Sequence, residues 1–280
     1  MNIVRNIKHE HCSCLDLILL VGGTPMQSLN SQVFQPAQQN PGVQPHSNRQ
    51  ILTSVKDFFR TLRGTKAFLT LLFDDSGNLA PVLELSTTLV DSHAFQFAVE
   101  AMKAAPEVAE IIEERYMAPS QDLEALLQYP KDSLGYAYAS SIKQAGLMPL
   151  AAEVKIDSDT SYVENRWLQT HDILHIITGF DTSEIGEIGL QAFYLAQFQL
   201  PLASMLIANA LIATTLLQPE ALSPLLIAIA HGWQMGQTAK PLIAHKWEEA
   251  WEKPVAVWQT ELNVQPFAQL ELALDKIPLS

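Results

Sequence analysis

The sequence is short of thiols, of positive charge and of any pattern that would build a sheet. Only two cysteines, Cys12 and Cys14, occur in 280 residues. They are too few and too close together for a disulfide framework, which fits a reducing compartment. Lys and Arg total 17 against 30 Asp and Glu, a formal net charge of −13 at pH 7. That balance speaks against nucleic acid, whose phosphates need clustered cations, and against docking on anionic lipid through a basic patch. Membrane contact would have to be largely apolar. No convincing run of strand-like alternation appears, so the expected architecture is all-α.

What the chain does have is apolar residues, 48% against 17% charged, enough to fill a substantial core. Met1 to His11 carries Arg5 and Lys8 but also Glu10, unlike an Arg- and Ser-rich transit peptide, and Asp16 interrupts the apolar stretch that follows. This start reads as a short N-terminal helix of a cytoplasmic protein. Residues 24–50, rich in Gln, Asn, Pro and Ser, read as a flexible connection. Residues 51–280 then form a single multi-helix domain.

Helical spacing recurs at 52–62, 66–73, 92–117 with a break at Pro106, 122–128, 133–144, 161–178, 183–199, 201–217, 224–238 and 254–262. The run from Leu200 to Leu217 holds eighteen residues without a charge, the lower limit for a membrane span. Ser204, Asn209, Thr214, Thr215 and the lack of cationic flanks weaken that assignment. A helix apolar all round is expected inside a larger bundle. With Leu222 to Ala230 it supplies more aliphatic surface than a site for a small polar metabolite needs. An apolar groove for a molecule with a greasy tail and a reactive head is one reading; core packing or a homodimer interface is the other.

Chemistry concentrates at His171-Asp172-Ile173-Leu174-His175, followed twelve residues later by Glu187. Residues in a helix lie ~100° apart, so His171, Asp172 and His175 share one face. Gly179-Phe180-Asp181-Thr182 is a stop-and-restart signal, with Gly179 able to take a left-handed cap and Asp181 able to cap the next helix. An antiparallel return brings Glu187 opposite the histidines, giving a helical-hairpin metal site. Two imidazoles with one or two carboxylates suit divalent zinc, iron or manganese, and a carboxylate-rich variant holds magnesium. Oxygen ligands and water positions point to a catalytic or substrate-orienting site. Asp172 reads as a ligand or as a partner of the ligands, Glu187 as a ligand or a proton carrier, and Gln191 and Glu184 as groups that could support it.

These residues carry a family resemblance. Leu134-Gly135-x-x-Tyr138, Arg166-Trp167 before His171-Asp172-x-x-His175, Thr178-Gly179, Gly186-Glu187, Leu200-Pro201, Gly232-x-x-x-Gly236-x-x-Ala239-Lys240-Pro241-Leu242 and Lys246-Trp247-Glu248-Glu249 make the chain resemble the coenzyme Q biosynthesis protein 4 family. The match runs from about Leu134 to Pro266 and is weak before it. Where the family usually has a basic and then an acidic residue, this chain has Leu168 and Gln169. The resemblance implies a helical protein whose His171, Asp172, His175 and Glu187 hold a divalent metal. It further implies binding of an isoprenoid quinone precursor, peripheral membrane association, oxidative removal of the carboxyl group of a prenylated hydroxybenzoate, and organisation of other quinone-biosynthesis enzymes.

A non-catalytic prenyl-lipid binder or scaffold is the competing reading. A helical His-Asp phosphohydrolase is a third, with only His93 and Asp275 to complete it. Elsewhere structural roles are expected: close helix packing at Gly232 and Gly236, Trp247 and Trp251 as anchors on one helical face, and solvated Glu248 and Glu249. His231 and His245 read as packing histidines, and Arg166 as a salt-bridge residue.

Overall fold

The computed structural model describes residues 80–146 and 155–267. The expected N-terminal helix, the flexible connection at 24–50, the domain boundary at 50 and the helices at 52–62 and 66–73 lie outside the described residues, as does Asp275. Among the described residues ten α-helices follow one another: α1 Ala80–Val90, α2 His93–Met102, α3 Pro106–Glu114, α4 Leu123–Leu126, α5 Leu134–Ala145, α6 Asp159–Thr178, α7 Glu184–Phe198, α8 Pro201–Leu217, α9 Leu222–Thr238 and α10 Val255–Glu261. No strand forms among the described residues; the one bridge, Ser133 to Pro254, is isolated.

Local chemistry explains most boundaries. The side chains of Ser92, Asp122, Ser133, Ser158 and Ser183 accept first-turn amides of α2, α4, α5, α6 and α7, replacing partners that a helix start lacks. Pro106 and Pro201 open α3 and α8, where a missing N–H leaves nothing unbonded. Gly146 and Gly179 close α5 and α6 at φ 66° and 72°, a conformation that side chains disfavour. Two expectations change. Helix α1 had no counterpart in the sequence reading, and the cap of α7 is Ser183, with Asp181 accepting from the Ser183 hydroxyl and amide instead.

Helix α6 is the centre of the domain, packing against α1, α2, α3, α5, α7 and α10. Every residue from Ser161 to Trp167 is buried, so this stretch has no solvent face. Helices α7 and α9 make the most extensive helix pair among the described residues. A Cβ at Gly232 would strike the Gly189 carbonyl, and one at Gly236 would come within 2.7 Å of the Phe193 carbonyl. The small residues therefore serve packing within the chain. Gly189 in turn lies against the Phe180 ring, which seats α7 between the hairpin turn and α9.

Helix α8 departs from the buried position expected of it. It packs on α7, but only its Leu202 and Ala203 are buried, and none of its residues beyond Ala203 is. Leu216 and Leu217 are 71% and 66% exposed, and Leu226, Ile227 and Trp233 of α9 are also exposed. The aliphatic surface is thus an outward-facing strip in place of an enclosed helix. Trp247 and Trp251 are buried as expected, but they sit in a short 3-10 turn and the loop after it, Trp247–Glu249 and beyond, and not on one helical face.

Candidate metal centre

The helical hairpin brings three of the four expected residues to one point. His171 and His175 lie one turn apart on α6, and Glu187 sits in the first turn of α7. Ligand atoms of His171, His175 and Glu187 all fall within 4.8 Å of one another. His175 Nε2 is 3.2 Å from His171 Nε2 and 3.1 Å from Glu187 Oε1, and His171 Nε2 is 3.6 Å from Glu187 Oε2. These separations bracket about 3.3 Å, the edge of a tetrahedron whose arms have the ~2.05 Å length of zinc bonds to nitrogen or oxygen. The donor set and its spacing therefore fit a divalent ion.

Asp172 is adjacent in sequence but is not one of the three converging donors. Its charge interacts with His171, His175 and Glu187, and burial holds its carboxyl above the usual range against the pull of the histidines. Glu184 is exposed at the start of α7. Gln191, one turn beyond Glu187, is buried with an unpartnered carbonyl oxygen. No other histidine, aspartate or glutamate among the described residues joins the donor group. His93 and His231 are apart from it, and His231 Nε2 lies 3.2 Å from the Gln265 carbonyl.

Burial alone would raise the Glu187 carboxyl, but hydrogen bonds and charge from His171 and His175 bring it down to about 2. Burial would lower His175, yet the Glu187 carboxylate holds it above its ordinary value. The two act on each other: a carboxylate facing imidazoles is stabilised as an anion, and it stabilises positive charge in return. A cation is the species this cluster favours.

Sequence reasoning missed three features. His171 Nδ1 lies 3.1 Å from the hydroxyl of Tyr194, a fully buried tyrosine on α7. His175 Nδ1 lies 2.9 Å from the Phe180 carbonyl. Spacing carried a signal for the first, since Tyr194 is seven residues after Glu187 and so on the same helical face. Backbone carbonyls carry none. The third is Glu248, expected to be solvated: its side chain is 4% exposed and pairs with Arg166, itself 0% exposed, at 2.7 and 3.0 Å. Arg166 also donates to the His245 carbonyl and to Gln169, while Gln169 bonds both ways with the Ala118 backbone. The position that is usually acidic in the resembled family thus still makes polar contacts here, whereas Leu168 packs against the core.

The family model for coenzyme Q (ubiquinone) biosynthesis protein Coq4 matches residues 66–268. The chain belongs to that family. It therefore takes part in ubiquinone biosynthesis, and the match begins well before the motifs that carried the resemblance. The rat (Rattus norvegicus) ubiquinone biosynthesis protein COQ4 homolog, mitochondrial, is 30% identical over 180 residues, covering 62% of this chain and 67% of that protein. The Zygosaccharomyces rouxii ubiquinone biosynthesis protein COQ4, mitochondrial, is 32% identical over 187 residues, covering 64% and 56%. The match thus spans about two thirds or less of those relatives. A crystal structure from Nostoc punctiforme, described as a candidate ubiquinone biosynthesis protein, superposes with TM-score 0.66 at 33% identity over 72% of this chain and 97% of that one.

Proposed function

We propose that the protein is a metal-dependent component of isoprenoid quinone biosynthesis that binds a polyprenylated aromatic precursor. The observation that carries this reading is the convergence of His171 Nε2, His175 Nε2 and Glu187 within 4.8 Å. Two imidazoles and a carboxylate suit zinc, iron or manganese, with positions left for water or substrate. When bound, such an ion supplies Lewis acidity toward a carboxylate or phenolate oxygen. The chain itself would hold the ion on the rigid α6–α7 hairpin, and Asp172 would add negative charge beside it. The reaction class we assign is oxidative removal of the ring carboxyl group as carbon dioxide, which needs an external oxidant such as dioxygen.

The apolar strip suits the tail of such a molecule and a peripheral position on a membrane. Between Pro201 and Thr238 the only charged side chain is Glu220, so α8 and α9 offer Leu216, Leu217, Leu226, Ile227 and Trp233 with little cost of burying charge. No helix among the described residues is long and apolar enough to cross a membrane. We place the protein in the cytoplasmic phase, at the membrane surface; the curated relatives are named mitochondrial. The same strip favours a second reading, a non-catalytic prenyl-lipid binder or scaffold for other quinone-biosynthesis enzymes, in which the ion neutralises an anionic headgroup. A homodimer through this face is compatible with either.

The test is elemental analysis of the gently purified full chain, combined with organic extraction and mass spectrometry of retained lipid. One divalent ion per chain with a prenylated aromatic is the expected result, and conversion of the carboxylated ring separates the enzyme from the binder. Metal-free, lipid-free protein after attempted reconstitution would remove the reading.

A further inference from the structure

The two histidines of the donor cluster are held from behind by different chemistry. His175 Nδ1 faces the Phe180 carbonyl at 2.9 Å. A carbonyl only accepts, so Nδ1 carries the proton and the Nε2 lone pair of the neutral ring is directed at His171 and Glu187. No side-chain substitution can remove that contact, because the main chain of the hairpin turn makes it. His171 has no such anchor. Its Nδ1 faces the Tyr194 hydroxyl at 3.1 Å, and a phenol both donates and accepts.

Tyr194 is built to hold that hydroxyl still. Its ring is fully buried, met at its edge by Trp167 at 5.7 Å and stacked with Phe198 at 5.9 Å between centroids. The hydroxyl thus emerges from an aromatic wall at one point, within hydrogen-bond distance of His171 Nδ1 and acted on by the Trp167 indole as well. His171 is the more exposed histidine, 19% against 8% for His175, and apart from this bond its ring is steadied by edge contacts with Trp167 and His175. Edge contacts do not distinguish Nδ1 from the carbon beside it. The hydroxyl does.

We propose that Tyr194 is a positioning residue for His171, accepting a hydrogen bond from Nδ1–H so that Nε2 faces His175 and Glu187 as a ligand. This rests on reading the cluster as a metal site. It assigns the phenol no contact with ion or substrate; it acts through the orientation and tautomer of the imidazole.

The experiment is cobalt(II) titration of the full-length chain and of Tyr194→Phe, followed by calorimetry and visible absorption, with His171→Ala as reference. Loss of the hydroxyl should weaken cobalt binding about tenfold or more, the usual range for a partner behind a ligand, and should alter the cobalt absorption envelope. Metal-free melting should barely move. Equal affinity and an identical spectrum in the variant overturn the proposal while leaving the metal site standing. Failure of wild type to bind cobalt overturns both. Should Tyr194→Phe not fold, nitrogen-15 spectra of the zinc-loaded wild type decide: a protonated Nδ1 with bound Nε2 at His171 is expected, and the opposite tautomer overturns the assignment.

Discussion

Helix α6 carries two polar clusters a turn and a half apart, and they are opposites. Around Arg166, cation meets anion: the guanidinium takes both oxygens of Glu248, the His245 carbonyl and Gln169, lies over the Tyr116 ring at 5.2 Å, and is sealed from solvent. Around His171, three potential ligands of a cation meet. Two imidazole nitrogens and a carboxylate crowd together, with Glu187 37% exposed. The first cluster is charge-paired and closed to solvent, although the buried Arg166 Nε is left without a partner, so its role is to tie α6 to the Trp247 segment. The second is polar, gathered and open, and it is completed by adding a cation. Burial and partner type distinguish structure from site even when the same helix supplies both.

The largest effect should come from opening the closed cluster. Arg166→Ala or Glu248→Ala leaves a buried charge without its partner, which costs about 3–5 kcal/mol; chemical denaturation should show it. Replacing both by apolar residues should recover most of the loss. If each single variant melts with wild type, the pair is not the clamp described.

The open cluster should behave in the reverse way. His171→Ala, His175→Ala and Glu187→Ala should each fold yet lose the stabilisation that added zinc gives, which for wild type is about 2.7 kcal/mol at a hundredfold excess over Kd. Glu184→Ala should retain it. A zinc-dependent melting shift that survives in Glu187→Ala would remove that carboxylate from the site.

Protons should compete with the ion at this cluster and leave the other untouched. His175 has a raised pKa, so its ring is protonated at a pH above the ordinary value of about 6.5, and it must lose that proton to bind. Metal affinity should therefore fall as pH drops through that raised pKa, about tenfold per unit below it for one proton. Calorimetry across pH 5.5–8.5 would expose a flat profile if His175 is not a ligand.

The smallest effect concerns Glu164, buried on α6 and bonded to the Ser86 hydroxyl, whose carboxyl is raised chiefly by burial. A raised carboxyl contributes its full stability below the unfolded pKa and loses it as pH rises through the folded one. Glu164→Gln should thus raise the melting temperature at neutral pH by about 2 °C or more, the shift given by ~1 kcal/mol in a domain of this size. The gain should vanish at low pH.

Most of the helices among the described residues were legible because their signals are local. Serine caps, Pro106 and Pro201 at helix starts and Gly179 at a stop act through neighbours in the chain. Helix α1 was missed because its partners, Glu164 among them, are distant in sequence. The misplacement of Asp181 has a local cause: Ser183 competes for the same cap and lies closer to the first turn. Glu248 was misread because two adjacent acids after a tryptophan resemble a solvated run until Arg166, 82 residues away, is folded against them.

By itself the sequence determined the helical class, the hairpin that carries His171, His175 and Glu187, and the family, since each depends on spacing along one or two adjacent helices. Only the tertiary structure decided that Asp172 stands outside the converging donors, that Tyr194 and the Phe180 carbonyl back the two histidines, and that the uncharged helix α8 faces outward. Those outcomes depend on how rigid helices rotate and pack against elements far away in the chain. Periodicity reveals that a face exists; packing decides what it meets.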